Sequence, residues 1–142
     1  MIPRQRASVV CVHAGRLLCV QLRDPATRVA RLFVPGGAIE PGETPEQAAV
    51  RETLEETGHR VRALPRSQSA RYPFEWNGQR FDVTTHFIAA ELLDAAAVPL
   101  AVDDATYNEA VVWLDVLAVP FAMSFEPSML AAVVALLESS AR

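Results

Sequence analysis

The stretch PGGAIEPGETPEQAAVRETLEETGHRV, Pro35 to Val61, decides the fold of this chain, because it joins a glycine turn to a helix with well-marked ends. The stretch is also strongly acidic. Six glutamates lie between positions 40 and 56, and Arg51 is the basic residue among them; the glutamates are Glu40, Glu43, Glu46, Glu52, Glu55 and Glu56. So much charge of one sign in so few residues calls for a physical reason.

The residues around the glutamates predict a helix over 45–57. Thr44 is a favourable N-cap residue, Pro45 suits the first helical position, and Gln47 completes a Thr-x-x-Gln capping box. Gly58 is the stop signal, and the paired glycines 36 and 37 permit positive φ and a close approach of the backbone.

Helical spacing places Glu52, Glu55 and Glu56 on one narrow arc, and it places Val50, Leu54 and Thr57 on the opposite arc, toward the core. Like charges at this spacing repel each other by about 0.2–0.5 kcal/mol per pair. Carboxylate oxygens grouped on a rigid element are what Mg²⁺ or Mn²⁺ prefers. We therefore interpret this face as a divalent-metal site that also accommodates a phosphate.

The same residues resemble a known family motif. Gly37, Glu43, Arg51-Glu52, Glu55-Glu56 and Gly58 have the spacing of the Nudix box, G-x5-E-x7-R-E-U-x-E-E-x-G-U, in which U is usually aliphatic. Thr53 and His59 occupy the two U positions that depart from the pattern. The motif covers roughly a sixth of the chain, and the length and order of elements also resemble a small Nudix domain.

The resemblance implies a set of metal ligands, namely the carboxylates of Glu52, Glu55 and Glu56 and the carbonyl of Gly36. It implies that Glu43 and Arg51 brace the loop against the helix, and that Glu40 and Glu46 are solvated.

It further implies a catalytic set of Arg51, Glu52 and Glu55. Glu52 is the first choice for the general base, and an acid from a later loop is the alternative. Asp103, Asp104 and Glu109 have that later position, and we include Glu109 as a candidate metal ligand.

The reaction that the resemblance implies is metal-assisted hydrolysis of a phosphoanhydride bond in a nucleoside diphosphate derivative. The favoured substrate is a nucleoside triphosphate, giving a monophosphate and pyrophosphate, with ADP-ribose and dinucleoside polyphosphates as alternatives. Tyr72, Phe74 and Trp76 share one face of a strand, where Phe74 and Trp76 are candidates to stack on a base. Arg31 is the candidate phosphate contact, from a loop that also carries Arg23 and Arg28.

Other functions on the same fold are a catalytically silent ligand-binding module, an RNA 5′-end pyrophosphohydrolase and an isomerase. The three metal glutamates argue against the first. The net charge of −4, with arginine as the basic residue throughout and no lysine, argues against the second and against any long nucleic acid as partner. Nothing in the sequence supports the third.

The rest of the chain predicts strands at residues 7–13, 16–23, 31–34 and 109–114, a hairpin around Asn77-Gly78 and a terminal helix at about 127–139. A strand or irregular edge follows the acidic helix. We expect a single domain over residues 1–142, of the α/β class and α+β type, with a mixed, mainly antiparallel sheet sandwiched by helices. If Ala14-Gly15 forms a tight turn, Cys11 and Cys19 point to opposite faces of the hairpin, which argues against a disulfide between them.

No stretch is long and apolar enough to predict a membrane span or a targeting segment, so a cytoplasmic location is expected. The terminal helix is apolar nearly all round from Met129 to Leu137, and a homodimer that covers it is therefore a hypothesis.

Overall fold

The computed structural model describes residues 1–94 and 108–140. Asp103 and Asp104, two of the candidate acids, lie outside the described residues. The strands are β1 (Ile2–His13), β2 (Arg16–Arg23), β3 (Ala30–Phe33), β4 (Gly36–Ala38), β5 (Val61–Trp76), β6 (Gln79–Leu92) and β7 (Asn108–Asp115). The helices are α1 (Pro45–Thr57), a 3-10 turn (Val116–Ala118), α2 (Val119–Ala122) and α3 (Pro127–Ser140).

The strands form one mixed sheet in the order β3-β2-β1-β6-β5, with β4 paired to β1 and β7 paired to β2. The long strand β1 organises this sheet. Ten of its residues, from Ile2 to Cys11, pair in parallel with β6, while its other edge pairs first with β4 and then with β2, both antiparallel. The predicted mixed, mainly antiparallel sheet is confirmed.

A hydrophobic core lies on each face of the sheet. Ala48 and Ala49 of α1 pack with Val9 and Cys11 of β1 on one face, and Val133 and Leu136 of α3 pack with the other face. The sheet is therefore sandwiched by helices, as expected. Cys19 belongs to the α3 side, opposite Cys11, and both thiols are free and buried.

The bounds of α1 agree with the prediction, and both halves of the capping box form: Gln47 N donates to Thr44 Oγ1 over 3.1 Å, and Thr44 N donates to Gln47 Oε1 over 3.0 Å. The predicted buried arc is wrong in part, since Val50 and Leu54 are half-buried. The fully buried side chains are small: Ala48, Ala49, Thr53 and Thr57. These small residues bring the helix close to β1, which shifts the contact arc away from the larger aliphatic side chains.

The two positions that depart from the family pattern are both buried. Thr53 is fully buried, and its hydroxyl donates to the carbonyl of Ala49 over 2.8 Å, one turn back in the helix. His59 is also buried and meets Trp113 edge-on, with 5.3 Å between the ring centroids. The departures therefore concern packing against the sheet, as the sequence suggested.

Two other predictions need correction, and the strand predicted as one alternative after the acidic helix is confirmed. The glycine pair 36–37 lies in strand β4, and neither residue has a positive φ. The long hairpin strand β5 runs unbroken from Val61 to Trp76, although its pairing with β6 shifts register near Pro65. Strand β1 begins at Ile2, five residues before the predicted start, because the parallel pairing with β6 organises a polar segment that has no hydrophobic pattern.

Helix α3 buries one face through Met129, Ala132, Val133 and Leu136 and leaves other apolar side chains half-covered. The homodimer that would cover them stays a prediction. Among the described helices, none combines the length and the apolar character that a bilayer span requires.

Candidate functional site

The site is built where β4 crosses between β1 and α1. Gly36 and Gly37 pair with Ser8 and Ala7, and the approach is too close for side chains. A Cβ on Gly36 would lie 2.1 Å from Ser8 Oγ, and a Cβ on Gly37 would lie 2.3 Å from Glu52 Cδ. The expected close approach of the backbone is therefore real, although positive φ is not its cause.

The missing side chains leave room for carboxylates against the β4 backbone. Glu52 rests over Gly37, and the N–H of Gly36 donates to Glu56 Oε1 over 2.9 Å. The backbone of β4 thus positions two of the three glutamates on α1. The carbonyl of Gly36 accepts from Arg6, and both residues line the same pocket.

Arg51 connects the loop, the helix and strand β4. Its Nε and Nη2 donate to the two oxygens of Glu43 over 2.7 and 2.9 Å, and Nη2 also donates to the carbonyl of Ala38. Its Nη1 lies 3.0 Å from Glu52 Oε1 and 3.3 Å from Glu55 Oε2. A bidentate arginine–carboxylate pair of this kind holds its partners in one geometry.

These contacts set the charge of the groups. The hydrogen bond from Arg51 holds the pKa of Glu43 below its usual value. Burial raises the pKa of Glu52, and the hydrogen bond and charge of Arg51 oppose that rise in part. Glu52 is therefore a carboxylate whose charge is costly in the bare protein and would be stabilised by a further cation.

The three glutamates do not all face one point. Glu52 and Glu56 line the same pocket, whereas the side chain of Glu55 is 58% exposed and points along the outer side of Arg51. Over the described ranges, no three Asp, Glu, His or Cys side chains come together closely enough to hold a metal ion. Arg51 contacts both Glu52 and Glu55 and supplies positive charge to both carboxylates.

The residues present nevertheless suit a divalent cation. Two carboxylates and a backbone carbonyl converge on one pocket, and all of them are oxygen donors of the kind that Mg²⁺ and Mn²⁺ bind. The space above Gly37, which a Cβ would fill, is occupied by the Glu52 carboxylate itself. Glu52, Glu56 and Gly36 would hold the ion directly, and Glu55 could join them by a change of rotamer.

The pocket extends from these oxygens to a group of aromatic rings, with a cavity volume of about 320 Å³. That volume is within the range of small-molecule sites. Phe33, Phe74 and Trp76 are the rings of this group that contact one another. Phe74 and Trp76 are stacked, with centroids 6.2 Å apart and planes at 14°, and Phe33 meets both edge-on.

Two other candidates lie elsewhere. Arg31 lies over the ring of Phe125, 4.7 Å from its centroid, and lines a second cavity of about 260 Å³ that shares Phe33, Phe74 and Trp76 with the first. Glu109 forms an ion pair with Arg23, accepts from Gln21 and does not line the pocket of Glu52 and Glu56. The structure therefore does not bring Arg31 or Glu109 to the two carboxylates.

Sequence reasoning missed several residues of the pocket. Arg4, Arg6 and Ser8 line it from β1, and Glu126 lines it from the position just before α3. The signal for the first three was their period-two spacing, which places them on one face of a strand. Because the strand was predicted to begin at residue 7, Arg4 and Arg6 lay outside it and this spacing did not indicate a shared face. Glu126 carries no local signal, since only the docking of α3 brings it to the pocket.

The protein is of the α+β class, with a sheet between helices. Its pocket lies beside strand β4, is lined by carboxylates and has the size of a small-molecule site. The model of the NUDIX domain matches residues 3–133 of the chain. The chain therefore belongs to the Nudix family.

Individual relatives support the same assignment. A putative 8-oxo-dGTP diphosphatase of Bacillus subtilis is 65% identical over 51 residues, which cover 36% of this chain and 32% of that protein. The match thus spans about a third of the relative's length.

Two solved structures share the fold. A NUDIX hydrolase from Nitrosomonas europaea superposes with a TM-score of 0.71 at 23% identity, covering 99% of this chain and 91% of the other. An Ap4A hydrolase from C. elegans in a binary complex gives 0.68 at 21% identity, covering 96% and 98%.

Proposed function

We propose that this protein is a divalent-metal-dependent pyrophosphohydrolase that cleaves a phosphoanhydride bond in a nucleoside diphosphate derivative. The observation that carries the proposal is one pocket lined both by Glu52, Glu56 and Gly36 and by aromatic rings. The oxygens of the first group suit a pyrophosphate group neutralised by cations, and the rings suit a base.

Each residue has a role in the proposed reaction. A bound Mg²⁺ or Mn²⁺ would neutralise phosphate oxygens and lower the pKa of water. Glu52 is the first choice to take the proton from the attacking water, because burial raises the pKa of this carboxyl. Arg51 keeps Glu52 in position through its 3.0 Å contact and through the Glu43 brace. We assign Glu55, beside Arg51, to the ligand set, as the family motif implies.

The substrate that we propose first is a nucleoside triphosphate. Relatives and structural neighbours are named for 8-oxo-dGTP and for Ap4A, so nucleotides of both kinds belong in the test. Phe74 and Trp76 contribute half-buried rings to the pocket that the carboxylates line. A base stacked on such rings gains about 1–3 kcal/mol, whichever base it is.

The experiment is a hydrolysis panel with Mg²⁺ and with Mn²⁺. The substrates are the common and oxidised nucleoside triphosphates, ADP-ribose, dinucleoside polyphosphates and nucleotide sugars, and the products are resolved by ion-exchange chromatography. The favoured substrate should yield a nucleoside monophosphate and pyrophosphate and give no turnover when the metal is chelated.

Glutamine variants of single glutamates test the ligand set. Glu52→Gln and Glu56→Gln should each reduce kcat by on the order of 10²-fold or more and weaken Mn²⁺ binding measured without substrate. Glu46→Gln is the matched control, because Glu46 is an exposed glutamate on the same helix. Full activity in Glu52→Gln and Glu56→Gln would refute the metal assignment, and folded wild-type protein that is inactive on every substrate would favour a binding module.

A further inference from the structure

Arg6 is a pocket residue whose role neither the motif nor the proposed reaction explains. It lies on β1 between Ala38 of β4 and Thr85 of β6, at the centre of the site. The side chain is half-buried, and it lines the same pocket as Glu52, Glu56 and Gly36. Arg4 and Ser8, two positions away on either side, have side chains on the same face of the strand.

The guanidinium of Arg6 makes a weak contact in the protein alone. Its Nη2 donates to the carbonyl of Gly36 over 3.3 Å, which is longer than the usual 2.9–3.0 Å. A guanidinium has five N–H donors in a rigid fork. Among the described residues, the Arg6 side chain makes this one hydrogen bond, and the acceptor is a neutral oxygen. The described residues therefore leave its other N–H donors unused.

The charge of Arg6 nevertheless acts on the site. It lowers the pKa of Glu52 and of the Tyr72 hydroxyl, in both cases against the larger effect of burial. The cation is therefore close to the carboxylate that we assign to metal binding and catalysis. A phosphate group held by ions at Glu52 and Glu56 would lie beside this guanidinium.

The other arginines near the site are occupied or displaced. Arg51 is shared among Glu43, Glu52 and Glu55, Arg31 lies over Phe125, and Arg23 pairs with Glu109. Arg4 lines the pocket too, but it is exposed and lies over the ring of Phe81, 5.0 Å from the centroid.

We propose that Arg6 is a substrate-binding residue that recognises the pyrophosphate group, donating to non-bridging oxygens of the bound phosphate. The inference rests on the proposed function. When a ligand is present, the Nη2 donor exchanges the Gly36 carbonyl for a phosphate oxygen, which frees that carbonyl for the metal ion. A planar fork suits two phosphate oxygens better than a single ammonium does.

The test compares Arg6→Gln, Arg6→Lys and the control Arg62→Gln. Arg62 is 63% exposed, pairs with Glu91 and lies outside the pocket. Four quantities are measured for each protein: the Kd of inorganic pyrophosphate in the presence of Mn²⁺ by calorimetry, the Kd of Mn²⁺ alone, KM and kcat for the best substrate, and Tm.

We expect Arg6→Gln to raise the Kd of pyrophosphate and KM by about tenfold or more, with a smaller change in kcat. Arg6→Lys should fall between this variant and the wild type, because it keeps the charge and loses the fork. Mn²⁺ alone should bind Arg6→Gln at least as tightly as it binds the wild type, since the Gly36 carbonyl is released. Arg62→Gln should change none of these quantities.

The opposite pattern would overturn the inference. If Arg6 only holds β1 to β4, Arg6→Gln will lower Tm and weaken Mn²⁺ binding while the Kd of pyrophosphate stays unchanged. Unchanged pyrophosphate binding in Arg6→Gln with an active wild type would remove the inference and leave the proposed function intact. Wild-type protein that neither binds pyrophosphate nor hydrolyses any substrate would remove both.

Discussion

At the scale of single residues, the site depends on two glycines, and the absence of a side chain has a different consequence at each. A Cβ on Gly36 would meet main-chain atoms, at 2.5 Å from the carbonyl oxygen of Ala7 and 2.8 Å from Ser8 Cα. The three atoms nearest to a Cβ on Gly37 all belong to the carboxylate of Glu52, at 2.3–2.6 Å. Backbone cannot move away cheaply, whereas a carboxylate can rotate. Gly36 therefore serves the fold and Gly37 serves the position of the carboxylate.

This difference predicts opposite phenotypes for two alanine substitutions. Gly36→Ala should lower the free energy of unfolding by about 1–3 kcal/mol, measured by urea denaturation. Gly37→Ala should leave stability nearly unchanged and weaken Mn²⁺ binding by about 10–100-fold, because the Glu52 carboxylate must leave its place. A Gly37→Ala protein with native metal affinity would show that Glu52 does not need this position.

Glu43 allows a prediction of pH dependence in the metal-free protein. Its pKa is lowered by Arg51, so the pair stabilises the fold above the ordinary glutamate pKa of about 4.3, and this stabilisation is lost as pH falls through the lowered pKa. Glu43→Gln should therefore lower Tm at pH 7, and its difference from the wild type should shrink steadily below about pH 4.

The control for this measurement is Glu40→Gln. Glu40 is 62% exposed and lies 3.7 Å from the same arginine, so its removal should have little effect at either pH. A Tm difference for Glu43→Gln that stayed constant from pH 7 to pH 3 would show that the brace is not electrostatic.

At the scale of elements, α1 is the part of the molecule whose bounds are set most locally. Its start is defined by Thr44, Pro45 and Gln47, and its end by Gly58 with φ 76°. These signals act within a few residues of one another, so they operate in the same way whatever the rest of the chain does. The packing of α1 on β1 then determines how deeply the glutamates of the helix lie. Contacts with β4 determine the positions of their carboxylates.

Removal of the N-cap tests whether the first turn of α1 contributes to activity as well as to stability. Thr44→Ala removes the acceptor for Gln47 N, and we expect a loss of about 1 kcal/mol in the free energy of unfolding with unchanged activity per folded molecule. Thr44→Ser keeps the hydroxyl and should cost little. If Thr44→Ala reduced kcat without destabilising the protein, the first turn would have a role beyond capping.

At the scale of the whole molecule, the sheet divides the interior into two cores. Cys11 belongs to the core under α1 and Cys19 to the core under α3, although β1 and β2 are joined by a two-residue turn. Burial raises the pKa of Cys11 to about 11 and that of Cys19 to about 12. Both thiols are therefore protonated and enclosed at neutral pH.

Thiol labelling should accordingly report global unfolding. We expect an aromatic disulfide reagent to label neither cysteine in the native protein at pH 7.5 and to label both in denaturant, with a reducing agent leaving Tm unchanged. Rapid labelling of one cysteine without denaturant would indicate that the corresponding core opens independently of the other.

The sequence by itself determined the local features: the bounds of α1, the Asn77-Gly78 hairpin, the opposite orientation of the cysteines and the spacing of the box glutamates. Each depends on periodicity, a cap or a turn residue within a few positions along the chain. The shared face of Tyr72, Phe74 and Trp76 followed in the same way from strand alternation. The candidate carboxylates and the class of fold could be predicted for this reason.

Only the tertiary structure decided how these parts meet. Pairing of β1 with β6 extended a polar segment into a strand and brought Arg6 into the pocket, and β4 formed because Gly36 and Gly37 lie against Ser8 and Glu52. The pairing of β3 and β7 with β2 left Arg31 and Glu109 away from the two carboxylates. These outcomes depend on contacts between residues some 15 to 80 positions apart, and no local pattern encodes them, because their free energy arises from the packed sheet as a whole.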